Sequence, residues 1–460
     1  MNLWFPVSRF RSALTFISVL VSATGAWAAA AAINVTCDRP AGVYESGQTA
    51  VFTVIRNDTA ETAPVATVKI LRNNRELVHT ETVTGTEAEH AVSFTPKDDG
   101  WYFCSVTLPG EEKKPAATTG VVFNPDAYTP SMPAPADFDA FWATQKARLA
   151  ADKAVPVLTP LTPEQLSLET ANPDPLKKIT ALESQGYTCV NLEIPCLDVR
   201  PVEGYFAKPK SPVKGGHPAI LLFHAAGVAG GWCRASLVNT LGHAEKYNAL
   251  VVDMNAHGML NGQPQSYYDA LEKGELAGYQ NRGKESREQF YFLGMFLRLQ
   301  RAIDFLAEQP EWDGKHLICI GISQGGAQVL AAAGLDSRVS AAVATVPGMC
   351  DFTGPVAGKP AGWPGIGNGS PADPQTKVYL NTVSYFDAVN FCARSKAETL
   401  VTVGFVDTTC SAPGVFTAYN QLKAAKRIIT VPDKGHHALS SPTPELNAEY
   451  TAFVAAHTKN

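Results

Sequence analysis

The chain is poor in charge. Asp, Glu, Lys and Arg make up only 18% of its 460 residues, and they sum to a formal −5. No basic stripe stands out from that balance, so the electrostatic footprint of a nucleic-acid binder is missing. Metal motifs are missing as well. The ten histidines are scattered, no HExxH occurs and no two cysteines stand as CxxC, so no spacing spells a metal site. Internal repeats and low-complexity tracts are absent, which excludes solenoids and propellers. Beyond the amino terminus there is no apolar run long enough for a membrane span. What remains is a chain with 45% hydrophobic residues, suited to packed cores and long enough for two of them.

The amino terminus carries the one long apolar stretch. Arg9 and Arg11 precede ALTFISVLVSATGAWA, which ends in small residues at Ala26 and Ala28. Basic residues, a short apolar core and a small-x-small ending describe a secretory signal peptide over residues 1–28. The mature chain is therefore expected in a periplasm or outside the cell, with no membrane attachment after cleavage. That compartment permits disulfides. All nine cysteines fall in the mature part, and their odd number leaves at least one unpaired. Cys37 with Cys104 and Cys189 with Cys196 are the first pairs to test.

Residues 33–109 alternate with period two, in TAVFTVIR (49–56), VATVKILR (65–72), LVHTETVTG (77–85) and HAVSFTP (90–96). Short alternating strands between Gly, Asn and Asp predict a small β-sandwich. DDGWYFCSV (98–106) adds the D-x-G-x-Y-x-C pattern of a tyrosine corner, with Tyr102 two before Cys104, so the sandwich looks immunoglobulin-like. It holds no cluster of acid, base or nucleophile, which leaves it a docking or packing role. The polar, proline-bearing stretch that follows predicts a linker over 110–127.

The remainder, 128–460, opens on a helix in which Phe138, Phe141 and Trp142 recur at near-helical spacing after Asp137. VNLEIPCLDVRPVEGYFAKPK (190–210) reads as strands meeting at a turn. From about 216 the rhythm becomes apolar strand, loop, helix. HPAILLFHAAG, ALVVDMNAHG, HLICIGISQGG, SAAVATVPG, ETLVTVGFVD and RIITVPDKGHH supply the strands. Near-continuous apolar strands alternating with helices predict an α/β domain around a mostly parallel sheet covered on both faces.

Within that rhythm GISQGG (321–326) fits G-x-S-x-G between a strand and the helix former run AQVLAAAGL. A serine there is either an ordinary turn residue or a nucleophile on a strained elbow, with small neighbours at Gly321, Gly325 and Gly326 letting strand and helix approach. The order of later residues favours the nucleophile. Serine needs a histidine base, itself oriented by a carboxylate. Asp407 ends the strand ETLVTVGFVD and His436 follows RIITVPDKG, the order Ser, Asp, His of an α/β-hydrolase. His437 competes for the base and Asp433 for the acid. His436 is preferred because Gly435 lets the chain turn its ring inward, and Asp433 lies too near it in a short loop. Oxyanion donors are expected from the backbone N–H groups of Gln324 and of a residue near Ala226, in the loop FHAAGVAGGW. His224 reads as a structural residue.

These residues resemble the acetyl xylan esterase and cephalosporin-C deacetylase family of α/β-hydrolases, over about Pro133 to His437. The likeness rests on DFDAFW, FHAAG, RAIDFL before EWDGKHLICIGISQGG, VPGMCDF, and GFVDTTCSAPGVFTAYNQL followed by KGHH. It implies Ser323 as nucleophile, Asp407 as orienting acid and His436 as base, acting without a cofactor on short acyl esters of sugars or oligosaccharides. The family commonly has His-Gly-Tyr in the oxyanion loop, where this chain has His224, Ala225 and Ala226. Members are often ring-shaped homo-oligomers, an assembly that an added sandwich would block or remodel. A prolyl-oligopeptidase-like peptidase also carries G-x-S-x-G-G, but the blade repeats of a propeller are absent here. An inert glycan-binding protein is the reading from a different class, against which the intact Ser, Asp and His stand.

Overall fold

The computed structural model describes residues 4–5, 33–56, 66–84, 88–110, 114–169, 177, 179–181, 183 and 185–459. Apart from Trp4 and Phe5, the leader expected over 1–28 lies outside them. The chain forms two compact units. The first runs to Ala127 and includes Gly404–Thr408 and Ile429–Gly435; the second holds Tyr128–Val403, Thr409–Ile428 and His436–Asn460.

The first unit contains two sheets. Strands β1 (Ile33–Cys37), β3 (Ala50–Arg56) and β6 (Glu89–Phe94) form one, in the order β1-β3-β6. The other has the order β2-β8-β7-β4-β5, from β2 (Val43–Tyr44), β4 (Ala66–Arg72), β5 (Glu76–Val83), β7 (Gly100–Thr107) and β8 (Ala117–Phe123). Alternate residues of β3 are buried along its whole length, as the period-two pattern requires. Phe52, Val54, Ile70, Tyr102 and Phe123 meet in one core. Full burial of a side chain such as Phe52 contributes about 1.5–3 kcal/mol. Tyr102 Oη–H donates to the Asp98 carbonyl at 2.6 Å, tying the turn to its strand.

Two expectations change here. Residues 117–123, placed within a linker, form strand β8, paired antiparallel with β7 along its length. ATTGVVF is rich in β-branched residues and buries five in succession, so the all-β unit extends past residue 109. No disulfide forms among the nine cysteines. Cys189 and Cys196 lie well apart along a single strand, a separation of about 20 Å at strand rise and far beyond disulfide reach. Cys37 instead directs its thiol to the Arg39 carbonyl at 3.1 Å. The segments taken from later in the chain are bonded into this unit. The Trp101 indole N–H donates to the Phe405 carbonyl at 2.7 Å, and the Gly120 N–H donates to the Pro432 carbonyl at 2.9 Å.

The remaining strands form one large sheet, most of it in the second unit. Nine of its ten strands are β9 (Val157–Thr159), β10 (Tyr187–Cys196), β11 (Val199–Pro209), β12 (His217–Phe223), β13 (Leu250–Met254), β14 (Trp312–Ile322), β15 (Ala341–Thr345), β16 (Glu398–Gly404) and β17 (Lys426–Val431). Their order is β17-β16-β15-β14-β12-β13-β11-β10-β9. Strands β12 to β16 pair in parallel, while β9, β10 and β11 are antiparallel. Every residue of β12, HPAILLF, is buried, because a parallel sheet is covered on both sides. The predicted approach helix is α1 (Phe138–Ala151). The other helices that matter are α2 (Leu237–Tyr247), α3 (Tyr291–Ala307), α4 (Gln324–Leu335), α5 (His436–Leu439) and α6 (Pro444–Ala456). Ser236 caps α2 and Thr443 caps α6, each accepting from an N–H three residues on. Among the described residues no helix is long and apolar enough to cross a membrane.

Candidate active site

Strand β14 ends at Ile322 and α4 begins at Gln324, so Ser323 alone makes the turn. Its backbone sits at φ +57° and ψ −117°, a region that costs a non-glycine residue on the order of 1–3 kcal/mol. Main-chain bonds hold it there. Ser323 N–H donates to the Thr345 carbonyl and Gly348 N–H to the Ser323 carbonyl, both at 2.9 Å. The glycines around it are sterically required. A Cβ on Gly321 would stand 2.4 Å from the Gly325 carbonyl oxygen, and one on Gly325 would stand 2.6 Å from that of Phe223. Strand and helix can meet at this distance only without side chains.

The strain places the Ser323 hydroxyl 2.8 Å from His436 Nε2. His436 opens the short helix α5 directly after Gly435, and its carbonyl accepts from Ser440 N–H and Oγ–H. His437, the competing base, is exposed. Asp407 follows closely on β16 and is fully buried. The competing Asp433 is exposed, and its carboxylate stands 3.2 Å from Lys434 Nζ. Ser323, Asp407 and His436 thus follow parallel strands β14, β16 and β17 in turn. The parallel course of the last two shows in Thr399 N–H donating to Ala425 and Phe405 N–H to Val431.

Gln324 is completely buried at the first turn of α4, where backbone N–H groups have no intrahelical acceptor and the helix dipole is positive. Its side-chain Oε1 accepts from the Tyr279 hydroxyl at 2.6 Å. Ala226 lies in the loop after β12 and shares a cavity of about 980 Å³ with Ser323, His436, Trp232 and Trp363. The Ala226 carbonyl accepts from the Trp232 indole N–H at 3.1 Å. His224 is paired with the buried Asp253, which also accepts from Ser236 N–H at 3.0 Å, in keeping with a structural role.

One residue of this loop's support escaped the sequence reading. His257 is buried, with its ring 4.4 Å from that of Tyr279. Nδ1 is 2.8 Å from the Tyr291 hydroxyl and Nε2 is 3.0 Å from the Gly227 carbonyl. Burial first, and the Arg298 charge second, lower its pKa to about 3, so the ring is neutral near pH 7. A carbonyl can only accept, so Nε2 carries the proton and Nδ1 accepts from Tyr291. His257, Tyr279 and Tyr291 lie on separate segments, and no spacing in the sequence brings them together.

A mostly parallel, doubly covered sheet with a strained serine at a strand-to-helix turn defines an α/β-hydrolase. The profile of the acetyl xylan esterase (AXE1) family matches residues 124–452, and the chain belongs to that family of carboxylic ester hydrolases. Acetyl esterase Axe7A of Xylanibacter ruminicola is 29% identical over 325 residues, 70% of this chain and 67% of that protein. The solved acetyl xylan esterase from Paenibacillus sp. R4 is 25% identical, with a TM-score of 0.57 over 72% of this chain and 98% of its own. Acetyl xylan esterase 1 from Thermoanaerobacterium sp. JW/SL YS485, at 21% identity and TM-score 0.55, covers 72% of this chain and 97% of its own and shares the fold.

Proposed function

We propose that this chain is a secreted serine esterase that removes acetyl or similarly short acyl groups from carbohydrate through an acyl-enzyme. The observation that carries the reading is the 2.8 Å approach of Ser323 Oγ to His436 Nε2, within the reach required of a nucleophile and its base. Ser323 Oγ attacks the ester carbonyl carbon while His436 Nε2 takes its proton. The carbonyl oxygen becomes an oxyanion held by the N–H groups of Gln324 and Ala226. Its collapse breaks the bond to the sugar oxygen, which leaves with the proton from His436. Water then adds to the acyl carbon with His436 again as base, and the carboxylic acid departs as Ser323 regains its proton. Asp407 serves as the acid that orients His436 and stabilises its charged form. The acetyl esters named for the similar proteins support an acylated sugar or oligosaccharide as substrate, and the signal-peptide pattern over residues 1–28 supports secretion.

Ser323→Ala is expected to lower kcat on 4-nitrophenyl acetate and on acetylated xylooligosaccharides by about 10⁴-fold or more. Full activity of that variant would remove Ser323 from the reaction.

A further inference from the structure

We propose that a groove running from Ser323 along the sheet between α2 and α6 binds the acyl chain, so that the enzyme takes acyl groups longer than acetyl. The inference rests on the serine-esterase reading above and adds the class of acyl group. The first observation is exposure where none is expected. Central strands of a doubly covered parallel sheet are buried on both faces, and Gly321 follows that rule, but Ile320 and Ile322 on either side of it are half-exposed. Strand register fixes which face they occupy. Ile320 is paired with Leu222 and Val343, and Ile322 with Thr345, and side chains at paired positions share one face. Gly321 points the other way, toward α4.

Helices α2 and α6 stand on the Ile320 face. Thr240 of α2 donates to Asp253 at 3.4 Å, and Asp253 is paired with Leu222. Tyr450 of α6 is bonded to Thr402 at 2.8 Å, and Thr402 is paired with Thr345. The helices flank the central strand without closing over it. One wall is the stripe Asn239, His243 and Lys246 of α2, and the other is Asn447, Thr451 and Val454 of α6; all six line the same cavity as Ser323. Each stripe has the i, i+4, i+7 spacing of a single helix face. Lys246 Nζ reaches Thr451 Oγ1 at 2.8 Å and bridges the two walls.

The floor lies on the path an acyl group would take. Ile320 is three positions before Ser323, a run of about 10 Å at strand rise. An acetyl group on Ser323 Oγ leaves this apolar floor empty, whereas a longer chain covers it and removes its surface from water. The same acyl-enzyme forms and the same water releases it; only the carboxylic acid is longer.

The test compares 4-nitrophenyl acetate, butyrate and hexanoate on wild type, Thr451→Trp and His243→Trp. Both substituted positions are partly exposed helix sites outside the catalytic groups. The wild type is expected to turn over hexanoate with kcat/KM at least equal to that for acetate. Each tryptophan should lower the hexanoate value by roughly tenfold or more, the scale set by small changes of fit around an apolar group, and leave acetate within about twofold. A wild type that turns over acetate but refuses hexanoate overturns the groove while the esterase reading stands. Hexanoate turnover untouched by both variants overturns it as well. Failure to hydrolyse any ester would overturn the esterase reading itself.

Discussion

At the scale of single residues, the loop proposed to supply the Ala226 oxyanion donor is held by a buried histidine. His257 holds the Gly227 carbonyl through Nε2–H, one residue beyond Ala226, and it does so only as the neutral tautomer. Native His257 takes a proton near pH 3, whereas in the unfolded chain it does so near about 6.5. Between those values the unfolded state binds the extra proton. Stability is therefore lost as pH falls below about 6.5, and the loss continues toward about 3. His257→Gln has no such titration. Its unfolding free energy, measured by urea denaturation between pH 4 and 6, should depend less on pH than that of the wild type, by up to ~1.4 kcal/mol per pH unit. Equal slopes in the two proteins would mean that His257 is protonated in the native state.

At the scale of elements, what the sequence made legible follows from periodicity. Strand β3 and the continuous run HPAILLF of β12 announced their burial because each pattern has one physical solution, one half-buried and one buried on both faces. The elbow was legible for the same reason. Gly321, Gly325 and Gly326 around a serine satisfy a steric demand that other residues cannot meet. Strand β8 was hidden because Lys113, Lys114 and Pro115 precede it and mask where pairing resumes. The walls of the groove were hidden too. Asn239, His243 and Lys246 look like a solvated helix face, and only the register of the strands beneath shows that the face overlooks partly exposed isoleucines. Distant partners such as His224 with Asp253, or Gln324 with Tyr279, leave no local trace at all.

At the scale of the molecule, the all-β unit is not continuous along the chain. It incorporates Gly404–Thr408 and Ile429–Gly435, the segments that carry Asp407 and lead into His436. The buried Trp101 indole donates to the carbonyl of Phe405, two residues before Asp407. Trp101→Phe keeps most of the buried apolar surface and removes that donor. It is expected to cost about 1–3 kcal/mol of stability in urea and to lower kcat on 4-nitrophenyl acetate with little change in KM. Unchanged kcat would show that the bond holds the unit together without bearing on Asp407.

The proposed chemistry requires Ser323 Oγ to carry the acyl group. The most direct measurement is intact-protein and peptide mass spectrometry after treatment with a fluorophosphonate ester, which traps an activated serine covalently. The expected result is one adduct per chain, on the peptide that contains Ser323, absent from Ser323→Ala and strongly slowed in His436→Ala. An adduct on another residue, or none in a preparation that still hydrolyses acetyl esters, would contradict the account.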